Sequence, residues 1–453
     1  MIRKSERIPE LEKGSLITNI IHLSWPVLLL NVMQNVSSVF EMFLIGKIGV
    51  EAISAIAVTG MLLAVFWSAN GGLMAGCVAV VSRLSGEKKY SELNSFLPTI
   101  LITSFCNWAL YAAVMFVFMG PLLDFFGARG MALEMAKPYL GVILLALAPV
   151  SILFMAFSIF RGIGMALMPL YLLGTAVILN IIFLPFLIFG HGFFPELGVT
   201  GSALAYLIGI TGPAVAAVFL LFNGVKHVKI EPKNFRFDRA LFARFIRISF
   251  PAIMQGWLSN AAMLILMRIA SAYGPAMTAV VGIGARLDVL LMMMAWATGS
   301  SVSIMVGHNL GAGEVKRAEA SVITGIKVMS FFSLAAFICY YSFAPALIAV
   351  FNSDPSVIRF GTEYLRIVPV MYLLLGVGII TAMALNGAGA TRTAMVINMI
   401  AFFAIQTPLA VFLPKIGAIG EKGVFMAIAA AFAFQGIAGW VMYKAGWWKH
   451  KKI

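Results

Sequence analysis

A carboxyl group inside an otherwise apolar stretch is the first feature of this sequence that could do chemistry. The segment Ser24 to Gly46, SWPVLLLNVMQNVSSVFEMFLIG, carries one acid, Glu41, flanked by Phe40, Met42 and Phe43. Asn31, Gln34, Asn35, Ser38 and Glu41 fall at helical spacing, so amides, a hydroxyl and a carboxyl share one face of a helix. A hydrocarbon bilayer accepts a charged side chain only at a cost of about 2.5–3.5 kcal/mol or more, so this face must turn toward protein or water. A carboxyl placed there could load a proton on one side of a membrane and lose it on the other. It could equally be held neutral by its amide neighbours and serve only helix packing.

Other candidates are weaker. Arg286 and Asp288, in RLDVLLMMMAW, are two residues apart and so do not face each other on a helix; each must answer to a different partner. They suit substrate contact or gating, or bridging between helices. Gln255 joins them as a polar group in an apolar run. Met292, with Met254, Met263, Met267, Met293 and Met294, could form an adaptable wall for varied ligands, because methionine repacks readily, or could be filler. Pro26 and Pro251 interrupt helical hydrogen bonding and could hinge their segments.

Elements long enough to position these groups follow from composition. The chain is 61% hydrophobic and only 11% charged, whereas soluble domains carry about 25% charged residues. The net charge of +14 does not indicate nucleic acid, because Lys and Arg sit in short stretches between apolar blocks and no basic-aromatic patch occurs. Cys77, Cys106 and Cys339 each lie inside an apolar run without metal-ligand spacing and are expected as small buried hydrophobes. No P-loop motif occurs, so ATP is not the driving force, and no cofactor or enzyme activity is expected.

Runs of about 20 apolar residues mark membrane spans. Twelve are expected, at 17–45, 51–82, 94–119, 136–159, 166–190, 199–222, 241–271, 277–306, 320–344, 362–384, 393–414 and 423–444. An even number puts both termini on one side. The connections assigned to that side hold Arg3, Lys4, Arg7, Lys13, Arg83, Lys88, Lys89, Arg161, Lys226, Lys229, Lys233, Arg236, Arg239, Arg244, Arg247, Lys316, Arg317, Arg392, Lys444, Lys449, Lys451 and Lys452. The other side holds Lys47, Arg129, Lys137, Arg268, Arg359, Lys415 and Lys422. This excess of about threefold assigns the termini to the cytoplasm of a plasma membrane protein.

The chain also repeats itself. Ser24 and Pro26 match Ser249 and Pro251, a shift of 249 − 24 = 225. The same shift carries Asn35 to Asn260, Gly49 to Gly274, Tyr139-Leu140 to Tyr364-Leu365, and Gly162 and Gly164 to Gly387 and Gly389. The expected fold class is therefore all-α integral membrane: twelve transmembrane helices as two six-helix lobes from a tandem duplication, with a pseudo-twofold axis along the membrane normal. Residues 1–222 form the first lobe, 223–239 a cytoplasmic linker and 240–453 the second. Two like bundles suggest a cleft and alternating access, hence a secondary transporter. A channel is the structural competitor, but no filter segment or charge ring is present.

At this point several motifs combine. SRLSGEKKYSE follows the second span and VGHNLGAGEVKRAEA the eighth; RGIG and NGAGATR follow the fourth and tenth; QTPLA lies in the eleventh. With SWPVLL…FEMFLIG they resemble the multidrug and toxic compound extrusion (MATE) family across nearly the whole chain. The resemblance implies an exporter of organic cations and other amphipathic small molecules against inward H⁺ or Na⁺. In the family the first span carries Asp five residues before its last Gly, a role that would fall here on Glu41, five before Gly46. Many members place an Asn, an Asp and a Pro in the fifth span; here Asn180 and Pro185 stand with Leu184 where the Asp would be. Ser259 and Leu375 occupy the places of second-lobe acids. The ion-coupling set is thus Glu41, Asn180, Gln34, Asn35 and Ser38, able to relay H⁺ or to cage Na⁺ at Glu41 and Asn180. Pro26, Asn31, Arg286, Asp288, Gln255 and Met292 are the substrate or gating candidates. A lipid-linked glycan flippase of related two-lobe design is the alternative, but it would need several cations to hold a pyrophosphate. Substrates and lipids are the expected partners, and nothing implies an oligomer.

Overall fold

The structure is a computed structural model in which residues 11–192, 194–231, 237–417 and 419–451 are described. Arg3, Lys4, Arg7, Lys233, Arg236 and Lys452, all part of the charge count, lie outside them, as does part of the expected 223–239 connection. Among the described residues twelve helices are long and apolar enough to cross a membrane. They are α1 (Leu16–Gly46), α2 (Val50–Gly86), α3 (Tyr90–Phe125), α4 (Met131–Gly162), α5 (Leu167–Phe189), α6 (Gly198–Asn223), α7 (Arg239–Ser271), α8 (Pro275–Gly311), α9 (Val315–Ser342), α10 (Pro355–Gly387), α11 (Thr391–Lys415) and α12 (Gly420–Lys444). Each contains one of the twelve expected spans or overlaps most of it.

Two helices are less regular than the apolar runs suggest. A 3₁₀ turn at Val368–Met371, containing Pro369, interrupts α10, and a π-helical stretch at Ile400–Gln406 interrupts α11. Pro408 follows that stretch and lacks the N–H that a regular turn would use. The Thr407 hydroxyl donates to the Phe402 carbonyl at 2.9 Å.

The chain forms two compact units. Trp25–Ile246 lies in one; the described residues 11–24 and 247–451 lie in the other. The helix that opens each copy is therefore divided, α1 after Ser24 and α7 after Ile246. In the first unit Phe245 meets Phe96 edge-on at 5.9 Å. The stretch after α6 is tied down by Asn94 Nδ2 donating to His227 O and Lys229 N donating to Asn94 Oδ1. In the second unit Ser24 Oγ donates to Ser301 Oγ at 2.9 Å. There too the Arg317 guanidinium clamps the approach to α1, donating to the carbonyls of Leu11, Lys13 and Gly14 at 3.0, 2.6 and 3.0 Å.

Helices approach closely where glycine leaves room, as membrane interfaces favour. A Cβ at Gly201 on α6 would lie 2.2 Å from the Leu187 carbonyl of α5, and one at Gly209 would lie 2.8 Å from that of Ala176. The second unit does the same between α10 and α12, where a Cβ at Gly436 would meet Leu374 O at 2.3 Å. The turns after α4 and α10 use Gly164 and Gly389 at φ +85° and +73°, a conformation glycine adopts freely. In the turn after α2, however, Lys88, not Gly86, takes the left-handed conformation (φ 57°). Its counterpart in the second copy is Gly313. Of the three cysteines only Cys77 is buried; Cys106 and Cys339 are exposed on α3 and α9.

Candidate functional site

The close α5–α6 packing holds two polar groups opposite the acid of α1. Ser202, next to Gly201, donates to Glu41 Oε1 at 2.9 Å. Asn180, 7% exposed on α5, accepts from the Ser37 hydroxyl at 3.0 Å. Around them the first unit encloses a cavity of about 350 Å³. Gln34, Ser37, Ser38 and Glu41 of α1 line it together with Asn180, and Trp67, Tyr139 and Tyr206 supply aromatic wall. The surroundings are thus oxygen-rich at one side and flat and apolar at the other, with a single carboxylate and no lysine or arginine in the lining. That arrangement can hold a proton or a monovalent cation on oxygen atoms, and can hold a flat organic cation by charge and by the faces of the rings.

The structure brings together four of the five expected ion-coupling residues, Glu41, Asn180, Gln34 and Ser38. Asn35 turns back on its own helix, donating from Nδ2 to Asn31 O at 2.8 Å, and neither Asn35 nor Asn31 lines the cavity. Leu184 is fully buried and outside the cavity lining, so the missing aspartate is replaced by packing. Sequence reasoning passed over Ser37, Tyr139, Ser202, Tyr206 and Trp67. Ser37 stands one turn before Glu41 and was legible by spacing. Tyr139 was singled out by the duplication but not assigned to the site.

The remaining candidates lie elsewhere. Pro26 is buried within α1, two residues past the point where that helix passes from one unit to the other. Gln255 donates to the Thr391 carbonyl at 3.3 Å, tying α7 to the start of α11. Met292 packs against the core of the second unit, as do Met263, Met267 and Met294. Ser259 donates to Gln255 O within its own helix and Leu375 is 2% exposed. Arg286 is exposed, whereas Asp288 accepts hydrogen bonds from Tyr364 and Tyr372. The two do have different surroundings, as their spacing requires. Among the described residues no group of three or more His, Cys, Asp or Glu is placed to hold a metal ion.

Twelve candidate spans among the described residues, with a one-carboxylate cavity among the first six, define a multi-pass membrane protein, and the family match makes it a transporter, not an enzyme. The MatE family model matches residues 26–186 and 251–412, two stretches that begin 251 − 26 = 225 residues apart. The chain belongs to the multidrug and toxic compound extrusion family. It is 29% identical over 404 residues to the FAD transporter of Shewanella oneidensis, with 88% of each chain covered. It is 23% identical over 445 residues to the probable multidrug resistance protein YpnP of Bacillus subtilis, covering 97% of this chain and 98% of the relative. An outward-facing multidrug resistance MATE family transporter has the same fold, with a TM-score of 0.90 and 21% identity over 98% of each chain.

Proposed function

We propose that the protein is a secondary antiporter that exports flat, amphipathic, cationic small molecules in exchange for H⁺ taken up at Glu41, by alternating access. The observation that carries this reading is the cavity itself: one carboxylate, hydrogen-bonded to Ser202, facing an aromatic wall in an apolar span. With Glu41 ionised, the site attracts a cation, and Trp67, Tyr139 and Tyr206 offer ring faces to it. A proton arriving at Glu41 removes the charge that held the substrate, and the substrate leaves. Loss of that proton on the cytoplasmic side restores the site. Exchange then requires only that proton and substrate compete for one negative charge.

H⁺ is favoured over Na⁺ by the donor set. A sodium ion needs a cage of oxygens, and the second acid that would complete one is Leu184, buried outside the cavity. A proton needs a single oxygen atom. The positive charge excess of the connections beside the termini supports a cytoplasmic location for both ends, with export from cell to exterior.

The name of the Shewanella relative points to a second reading, in which a flavin dinucleotide is the substrate; the aromatic wall suits its isoalloxazine ring, but its pyrophosphate meets a carboxylate and no cation in the lining, which ranks this reading second. A pyrophosphate-linked lipid is less well served, because no cation lines the cavity. The test is transport in reconstituted vesicles under an imposed pH or Na⁺ gradient, with ethidium and FAD as alternative substrates. The proposal expects ethidium uptake driven by the pH gradient and lost in Glu41→Gln. Uptake that follows Na⁺ alone, or that survives in Glu41→Gln, overturns it.

A further inference from the structure

The second unit holds a carboxylate of its own. Asp288 lies 288 − 275 = 13 residues into α8, about 20 Å along the helix, at a depth where an unmatched charge is costly. Tyr364 Oη donates to its Oδ2 at 2.8 Å, and Tyr372 donates to Oδ1. The site is built for these phenols. Gly284, one turn before Asp288 on the same face, makes room for the Tyr364 ring; a Cβ there would sit 2.4 Å from it. Phe425 holds that ring edge-on at 5.4 Å. Tyr340 stands edge-on to Tyr372 at 6.1 Å and donates to the Leu287 carbonyl at 2.9 Å.

Among the described residues no cation forms an ion pair with Asp288. The helices packed against α8 present Tyr364 and Tyr372 from α10 and Tyr340 from α9. The cations of the second unit's helices around it have other partners or face outward: Arg286 is exposed, Arg268 of α7 bonds Ser271, Arg366 lies over Tyr341, Arg359 lies over Phe360, and Lys422 pairs with Glu363. Ionisable groups inside a membrane commonly pair with one another. This one has two neutral hydroxyls, each able to donate or accept. A protonated carboxyl becomes a donor, and one phenol can turn from donor to acceptor, so the cluster takes up a proton without losing a hydrogen bond. A sodium ion would have to draw its ligands from hydroxyls already donating to the acid.

The duplication shows what this cluster corresponds to. Tyr364 is the counterpart of Tyr139 (364 − 225), which lines the cavity of the first unit; Asp288 is the counterpart of Leu63 (288 − 225), which lines it too. Glu41, in turn, has Leu266 as its counterpart (41 + 225). Each copy thus sets one acid in the neighbourhood of its equivalent tyrosine, from the first helix in one copy and from the second helix in the other. We infer that Asp288, with Tyr364 and Tyr372, is a second proton-binding site, so that two protons are exchanged for each substrate. This rests on the proton-antiport reading of the Glu41 cavity.

Two measurements test it. In vesicles with the membrane potential clamped at zero and a pH difference of one unit, each exchanged proton supports about tenfold substrate accumulation. The parent is expected to approach about 100-fold and Asp288→Asn about tenfold. A parent that stops near tenfold, or an Asp288→Asn variant that matches a parent near 100-fold, overturns the second site while leaving Glu41 antiport intact. A parent blind to the pH gradient overturns the antiport reading instead. Infrared difference spectra between mildly acidic and mildly alkaline pH then decide the site independently of transport. Two protonated-carboxyl bands are expected, one lost in Glu41→Gln and the other lost in Asp288→Asn and shifted in Tyr372→Phe, a variant that keeps the carboxyl. Spectra of Asp288→Asn and Tyr372→Phe identical to the parent overturn the inference.

Discussion

The two copies of one ancestral six-helix unit use the same positions in opposite ways. In the first, Leu63 and Leu147 line a cavity of about 350 Å³ beside Glu41. In the second, the equivalent positions are Asp288 and Tyr372, hydrogen-bonded to each other. Thr59, which bonds only its own helix through Ala55 O, corresponds to Gly284, the residue that admits the Tyr364 ring. One copy keeps space for a ligand next to its acid; the other fills that space with hydroxyls. A duplicated fold can thus divide labour without any change of backbone plan, one half retaining room for substrate and the other only its acid.

The largest expected effect separates the two acids. Glu41→Gln should reduce gradient-driven ethidium uptake to background, a loss of roughly 100-fold or more if a transition-state-like charge contact of about 3 kcal/mol is removed. Asp288→Asn should retain slow uptake in the same assay. Next comes relocation of the acid. Adding Leu63→Asp to Glu41→Leu places a carboxylate in the first unit where the second carries one. At a pH difference of one unit, accumulation about tenfold above Glu41→Leu alone is expected, since one restored proton is worth about a factor of ten per pH unit; no recovery would break the equivalence of the two sites.

Packing gives a smaller difference. Gly284→Ala drives a methyl into the Tyr364 ring and Gly209→Ala drives one into the Ala176 carbonyl beside Asn180. Each overpacking should cost about 1–3 kcal/mol, read as a lower thermal midpoint in detergent. Only the first should disturb the infrared band of Asp288. The smallest effect lies in the turn after α2. Glu87 accepts from Arg83 Nε at 3.1 Å and pairs with Lys89 at 2.7 Å. Its partial burial works to raise its pKa, but the two cations outweigh this and hold the carboxyl below its ordinary value of 4.5. A depressed pKa contributes stability above the unfolded value and loses it as pH falls through the folded one. Glu87→Gln should therefore cost at most about 0.5 kcal/mol at neutral pH after solvent screening, and nothing in strong acid. The second copy has Ala312 at that position and offers the control.

The spans were legible because a 20-residue apolar run has few alternatives in a membrane protein. The duplication was legible as one constant offset. Glu41 stood out because an acid is rare in such a run. Its partners did not, because Ser202 lies 161 residues away and no periodicity links residues on different helices. Asp288 was visible as an intramembrane acid, but its partners Tyr364 and Tyr372 lie 76 and 84 residues on. Gln255 and Met292 were chosen for their chemistry alone. The structure gives one a bridging hydrogen bond and the other a place against the core, roles that residue type does not distinguish from ligand contact.

The crossed ownership of α1 and α7 constrains how the chain is made. Residues 11–24 are bonded by Ser301 and Arg317, which the ribosome delivers 277 and 306 residues after Ser24 and Leu11 respectively. The first unit, for its part, gains its Phe96–Phe245 contact only after the chain has passed the central connection. During biogenesis the earliest helix must wait, inserted but unclamped, until α8 and α9 exist. A chain cut at the central connection would leave both fragments short of a piece, so the halves should mature together or be degraded separately.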